Sequence, residues 1–171
     1  AKATKKKDFD VDGHDALASR AASERMVLLK NNGILPLKKI NKIAVIGYSA
    51  KEPYYQGGGS SHINATKVAI PLDEIMKQAV DCEITYADGY TFDGSDQTEL
   101  KDEAFRAASA AEVAILFITP PPQTDTEGID RFDLEINRQQ VALIKAVSTA
   151  QPNSIVILNN GAPLAMSEWI D

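Results

Sequence analysis

Beyond the apolar run EVAILFIT and three prolines lies TDTEGIDRFDLEINRQQ, residues 124–140, which brings Glu127, Gly128, Asp130 and Arg131 close together. A carboxyl group projected from the end of a buried strand can work as a general acid or base when its surroundings bring its pKa toward the working pH. Gly128 would let the loop turn tightly and present Glu127. The same residues also have a plain structural use, with Asp130 and Arg131 forming an ion pair or capping the helix that follows. A second stretch, QGGGSS, sets Gly57, Gly58 and Gly59 before Ser60. Glycines without Cβ atoms let a backbone approach a ligand or another domain, but a solvated surface tether reads the same way.

Other chemistries fail on spacing. IAVIGYSA lacks the second and third glycines of a dinucleotide turn, and no GxxxxGK[ST] sequence occurs. Neither GYSAK nor GGSSH completes the GxSxG elbow, so Ser60 is not an activated nucleophile. DFDVDGHDALAS imitates a calcium loop at Asp8, Asp10, Asp12 and Gly13, but Ser19 stands where a bidentate Glu is needed. It reads better as an acidic helix start. Cys82, His14 and His62 do not make a standard structural zinc site, and one cysteine excludes an internal disulfide. Asn64 begins an NAT glycosylation pattern, which has meaning only in a secreted eukaryotic protein.

The elements that would position these residues follow from periodicity. DALASRAASERMVLLK, residues 15–30, predicts an amphipathic helix closed by Asn31, Asn32 and Gly33. KIAVIGYS, CEITYADGY, EVAILFIT and NSIVILNN predict four strands, with Cys82 a small core residue. PLDEIMKQAV, SDQTELKDEAFRAASAA and LEINRQQVALIKAVSTA predict the helices between them. This alternation specifies an α/β fold, a three-layer αβα sandwich with a mostly parallel, doubly wound sheet. Ligands gather at the carboxyl ends of such strands, so Glu127, the glycine loop and Asp88 are expected to share one rim. GAPLAMSEWID starts a further βα connection, which predicts a sheet incomplete at the C-terminus and a fragment of something longer.

The 171 residues are 44% hydrophobic and 25% charged, the composition of a globular domain. A net charge of −6 argues against nucleic acid, which needs clustered cations. The basic run at Lys2 and Lys5–Lys7 reads as a solvated tail. No apolar stretch is long enough for a membrane span, and the start lacks the apolar core of a signal peptide. A lone cysteine fits a reducing compartment without establishing one.

ASERMVLLKNNGILPLKKINKIAVIG, GGGSS, YADGY, EGIDRFDLEINRQQVALIKAV and NSIVILNNGAPLAMSEW occur in the order and approximate spacing of one known domain. From about His14 onward the chain resembles the carboxy-terminal α/β-sandwich domain of glycoside hydrolase family 3, the β-glucosidase-like enzymes. The resemblance implies residues 1–13 as a tail or linker and 14–171 as that domain, truncated. It implies a partner, an N-terminal TIM-like barrel in the same protein, carrying an Asp nucleophile, with the active site between the two.

Glu127, in the EG.DR segment, takes the implied role of general acid/base toward a β-glycoside or oligosaccharide substrate. Gly57, Gly58, Gly59, Ser60, Gly128, Asp130 and Arg131 are implied to line the substrate or the domain interface, and no metal or cofactor is called for. Glu127 is expected to be exposed and loosely held in this chain. Where relatives have LP..Q after the motif, this chain has Glu135 and Ile136 before Asn137, which predicts a differently shaped loop exit. A noncatalytic carbohydrate-binding or interdomain module remains the alternative.

Overall fold

Short apolar runs separated by helices must pair in parallel, because tight turns cannot join parallel strands. The computed structural model, which describes residues 9–171 apart from 94, 96, 122, 123, 125 and 126, has that arrangement. The basic run at Lys2 and Lys5–Lys7, and Asp8, lie outside the described residues. The chain divides into two compact units, Ala1–Gly33 and Ile34–Asp171.

The first unit holds helix α1, Val11–Arg25. Asp10 caps it by accepting a 2.9 Å hydrogen bond from the Gly13 N–H, which bears out the acidic helix start. The helix begins and ends earlier than its periodicity predicts, and none of its residues is buried, so it is not the amphipathic helix expected over 15–30. Met26, Val27, Leu28 and Leu29 are consecutive, and in a helix they would spread around the axis rather than extend one stripe. They lie outside the helix and exposed.

The second unit carries strands β1 (Lys42–Ile46), β2 (Glu83–Ala87), β3 (Val113–Ile118) and β4 (Ser154–Leu158) in the order β2-β1-β3-β4, every pair parallel. A four-residue turn of helix, α2 (Tyr48–Lys51), follows β1; α3 (Pro71–Gln78), α4 (Thr98–Ser109) and α5 (Arg138–Ala150) are the crossovers. The connection from β1 moves to one side of the sheet and the next returns past it. Right-handed crossovers therefore require α3 on one face and α4 with α5 on the other. The packing agrees. Ala44, Ile46, Leu116 and Ile118 meet Ala104 and Ala108 of α4 and Leu143, Ile144 and Val147 of α5. The alternate residues Ile43, Val45, Ile115 and Phe117 pack against Leu72 and Ile75 of α3. The three-layer α/β sandwich is as expected, and the strand order reverses between β1 and β3.

Three of the element ends that differ from the periodicity have identifiable causes or consequences. β1 stops at Ile46, because Gly47, whose N–H still bonds Ala87 O of β2 at 3.0 Å, turns the chain with φ +119 into α2. α5 starts at Arg138 rather than Leu134, because the Asn137 side chain caps it through the Gln139 N–H at 2.9 Å while Ile136 is buried in the core. The expected C-terminal helix is a single turn in which Ile170 N–H bonds Met166 O at 3.0 Å and Trp169 packs on the α4–α5 side of the core. Cys82 precedes β2 and packs partly buried against the α3-side cluster, where burial pushes its thiol pKa up.

Candidate active site

The strands flanking the reversal, β1 and β3, send out the two loops that sequence chemistry marks. In an open α/β sheet that crevice is where ligands are held. Tyr90, just past β2, ties the two strand ends together beneath it. Its buried hydroxyl donates to Phe117 O at 3.0 Å, accepts from the Thr119 N–H at 3.2 Å and lies 3.1 Å from Ser49 Oγ. Burial raises its pKa, so it stays a neutral donor. The buried Gln140 amide, in the first turn of α5, donates to Thr119 O at 2.7 Å and fixes where the loop after β3 departs.

At the rim, the loop after β1 forms one 3₁₀ turn, Gly59–Ser61, with Ser61 Oγ donating to Gly58 O at 2.9 Å. Ser60 meets Glu127 there: its N–H is 3.1 Å and its hydroxyl 2.8 Å from Glu127 Oε2. Glu127 is exposed, as the resemblance implies, yet these bonds fasten it rather than leave it loose. The Ser60 N–H, then its hydroxyl, hold the Glu127 carboxyl below its ordinary pKa. A Cβ at Gly59 would stand 2.6 Å from Glu127 Oε2, so the contact exists because residue 59 has none. Gly128 turns the opposite loop with φ +85.

Asp130 and Arg131 form no ion pair with each other. The Arg131 guanidinium instead donates to Glu135 O at 3.4 Å and Pro163 O at 3.5 Å, bracing its own loop against the segment after β4. Ala165 N–H adds a 2.7 Å bond to Leu134 O. Asp88 lies at the carboxyl end of β2, as expected, but makes no hydrogen bond to Glu127; it accepts a 2.6 Å hydrogen bond from Tyr86, whose own pKa is raised by burial and then by that carboxylate. Asn159 closes the rim, with its side-chain amide on Tyr54 O at 2.6 Å and its N–H on Ile118 O at 2.9 Å. Beside the glycine loop a cavity of about 690 Å³ is lined by Tyr54, Tyr55, Gly57, Gly58, His62 and Phe92. Tyr90, Gln140 and Asn159 are not singled out by any spacing in the sequence, because their role is to bridge strands distant along the chain. Among the described residues no three His, Cys, Asp or Glu side chains gather as metal ligands.

A model of the glycosyl hydrolase family 3 C-terminal domain matches residues 26–171. The chain belongs to glycosyl hydrolase family 3. This family 3 domain is 46% identical to thermostable beta-glucosidase B of Acetivibrio thermocellus over 167 residues, 95% of this chain and 22% of that protein. It is 39% identical to an exo-alpha-(1->6)-L-arabinopyranosidase of Bifidobacterium longum over 172 residues, 94% of this chain and 22% of that protein. The crystal structure of a Bifidobacterium adolescentis GH3 beta-glucosidase superposes with a TM-score of 0.89 at 41% identity, covering 98% of this chain and 24% of that one. The family 3 domain thus spans roughly a quarter or less of the length of these relatives.

Proposed function

We propose that this domain supplies the general acid/base of a retaining glycosidase of β-glucosidase or β-xylosidase type, with Glu127 as that group and the nucleophilic carboxylate coming from an N-terminal barrel. The observation that carries this reading is the placement of Glu127: exposed, at the sheet's switch point, and fixed by the loop of the neighbouring strand. Retaining hydrolysis needs two carboxyl groups about 5 Å apart, one attacking the anomeric carbon and the other protonating the leaving oxygen before deprotonating water. Ser60 favours the charged form of Glu127, the form needed in the second step. The first step needs the proton, and covering the crevice with a second domain that brings its own carboxylate would raise the pKa on both counts.

The surface around Glu127 supports such a cover. Phe132 is 99% exposed, and Ile129 and Leu134 of the same loop are more than half exposed, apolar side chains of the kind that another surface buries. The test is Glu127→Ala in the full-length enzyme. Hydrolysis of glycosides with poor leaving groups is expected to fall about 10²–10⁴-fold, activated aryl glycosides far less, with azide restoring turnover on the activated ones. Equal loss on both substrate classes would sink the assignment.

A second reading, a noncatalytic sugar-binding module, is favoured by the cavity beside the glycine loop, where Tyr54, Tyr55 and Phe92 offer aromatic faces near His62. Sugar binding by this chain in calorimetry, together with unimpaired turnover after Glu127→Ala, would select it.

A further inference from the structure

We propose that Ser60 is a positioning residue for Glu127, anchoring Oε2 so that Oε1 alone exchanges the proton with the leaving oxygen and with water. This rests on the acid/base role of Glu127. Both Ser60 donors converge on Oε2, at 3.1 Å from the N–H and 2.8 Å from the hydroxyl, and among the described residues no hydrogen bond reaches Oε1. A carboxyl group protonated on Oε1 keeps Oε2 as a carbonyl oxygen, which still accepts both bonds. The anchor therefore holds in both protonation states, and the group need not swing between the two half-reactions.

In the first half-reaction the Oε1 proton passes to the leaving oxygen. That oxygen keeps the electron pair of the breaking C–O bond while the nucleophilic carboxylate takes the anomeric carbon. In the second, water attacks that carbon, the carboxylate departs with its electron pair, and the water proton returns to Oε1. A single anchored oxygen suits this exchange better than a charged partner would. Ser60 carries no charge, so it favours the carboxylate less than an Arg or Lys in the same place and leaves the pKa free to rise when the crevice is covered.

The described charged and titratable neighbours on the two loops are engaged elsewhere or make no bond to Glu127. Arg131 bonds the Glu135 and Pro163 carbonyls, His62 Nε2 lies 3.4 Å from the Gln56 amide, and the Asp133 carboxylate accepts from the Glu135 N–H; Asp130 does not bond Glu127. The described hydrogen bonds that tune Glu127 are those of Ser60.

The test is the pH profile of kcat/KM in the full-length enzyme on a glycoside with a poor leaving group. Ser60→Ala should move the basic limb, which reports loss of the Glu127 proton, to higher pH and lower the plateau about tenfold through lost alignment. Ser60→Thr, which keeps the hydroxyl, should restore both. A basic limb unmoved by Ser60→Ala, in an enzyme where Glu127→Ala shows the leaving-group-dependent loss and azide rescue, overturns the role of Ser60 and leaves that of Glu127 standing. A plateau loss that Ser60→Thr does not repair overturns it as well. If Glu127→Ala instead loses both substrate classes equally, the acid/base reading fails first and takes this one with it.

Discussion

Gly59 sits at φ +67 with the Glu127 carboxylate where its side chain would be, so a methyl group there acts on the site before it acts on the fold. With Glu127 as the proposed acid/base, Gly59→Ala in the full-length protein is expected to push Glu127 off Ser60 and cut kcat/KM on unactivated glycosides by at least about tenfold. Stability should fall by only about 1 kcal/mol, the cost of the left-handed backbone at an exposed position. Paired steady-state kinetics and urea unfolding check the split, and a loss of stability large enough to explain the loss of activity would contradict it. Glu127 and the three glycines are visible in the sequence by type alone. Their contact is not, because Ser60 and Glu127 are 67 residues apart and meet only if β1 and β3 are neighbours.

At the scale of the elements, strands and crossovers follow from runs of β-branched and apolar residues, while their ends depend on single polar contacts that periodicity does not report. Asn137 delays α5, and Gly47 cuts β1 short. The opposite edge of the sheet has a similar device. Ahead of β1, Asn41 donates its N–H at 3.2 Å and its amide at 3.0 Å to the two oxygens of Glu112, the residue before β3. Hydrogen bonds from the Asn41 side chain, then from its backbone, lower the Glu112 pKa from its ordinary 4.5. A carboxyl group depressed in the folded state stabilises fully above its unfolded pKa and loses that contribution as pH falls through the folded one. Glu112→Gln should therefore flatten the acid side of the stability profile below about pH 4.5. Urea midpoints measured down through that range check it; an acid slope identical to wild type would show that the clamp does not couple to folding.

Over the whole Ile34–Asp171 unit, the two faces of the sheet are covered by helices, whereas the carboxyl-end rim carries Phe132 almost fully exposed. If a second domain covers that rim, Phe132→Ala should leave the stability of this chain within about 0.5 kcal/mol. It should cost the full-length protein about 1–3 kcal/mol of domain association. Unfolding of the two forms side by side distinguishes the cases, since equal small effects would mean that the rim stays bare.

The sequence by itself determined the layer architecture, because alternating apolar strands and helices with right-handed crossovers leave few other solutions. Its motifs pointed to the family and to Glu127 as a residue of interest. Only the tertiary structure decided which oxygen of Glu127 is held, that Ser60 holds it, that Arg131 braces backbone carbonyls rather than pairing with Asp130, and that Asp88 belongs to Tyr86. Periodicity records which way a side chain faces within its own element. Which loops meet at a sheet's end depends on strand order and on hydrogen bonds between residues far apart in the chain.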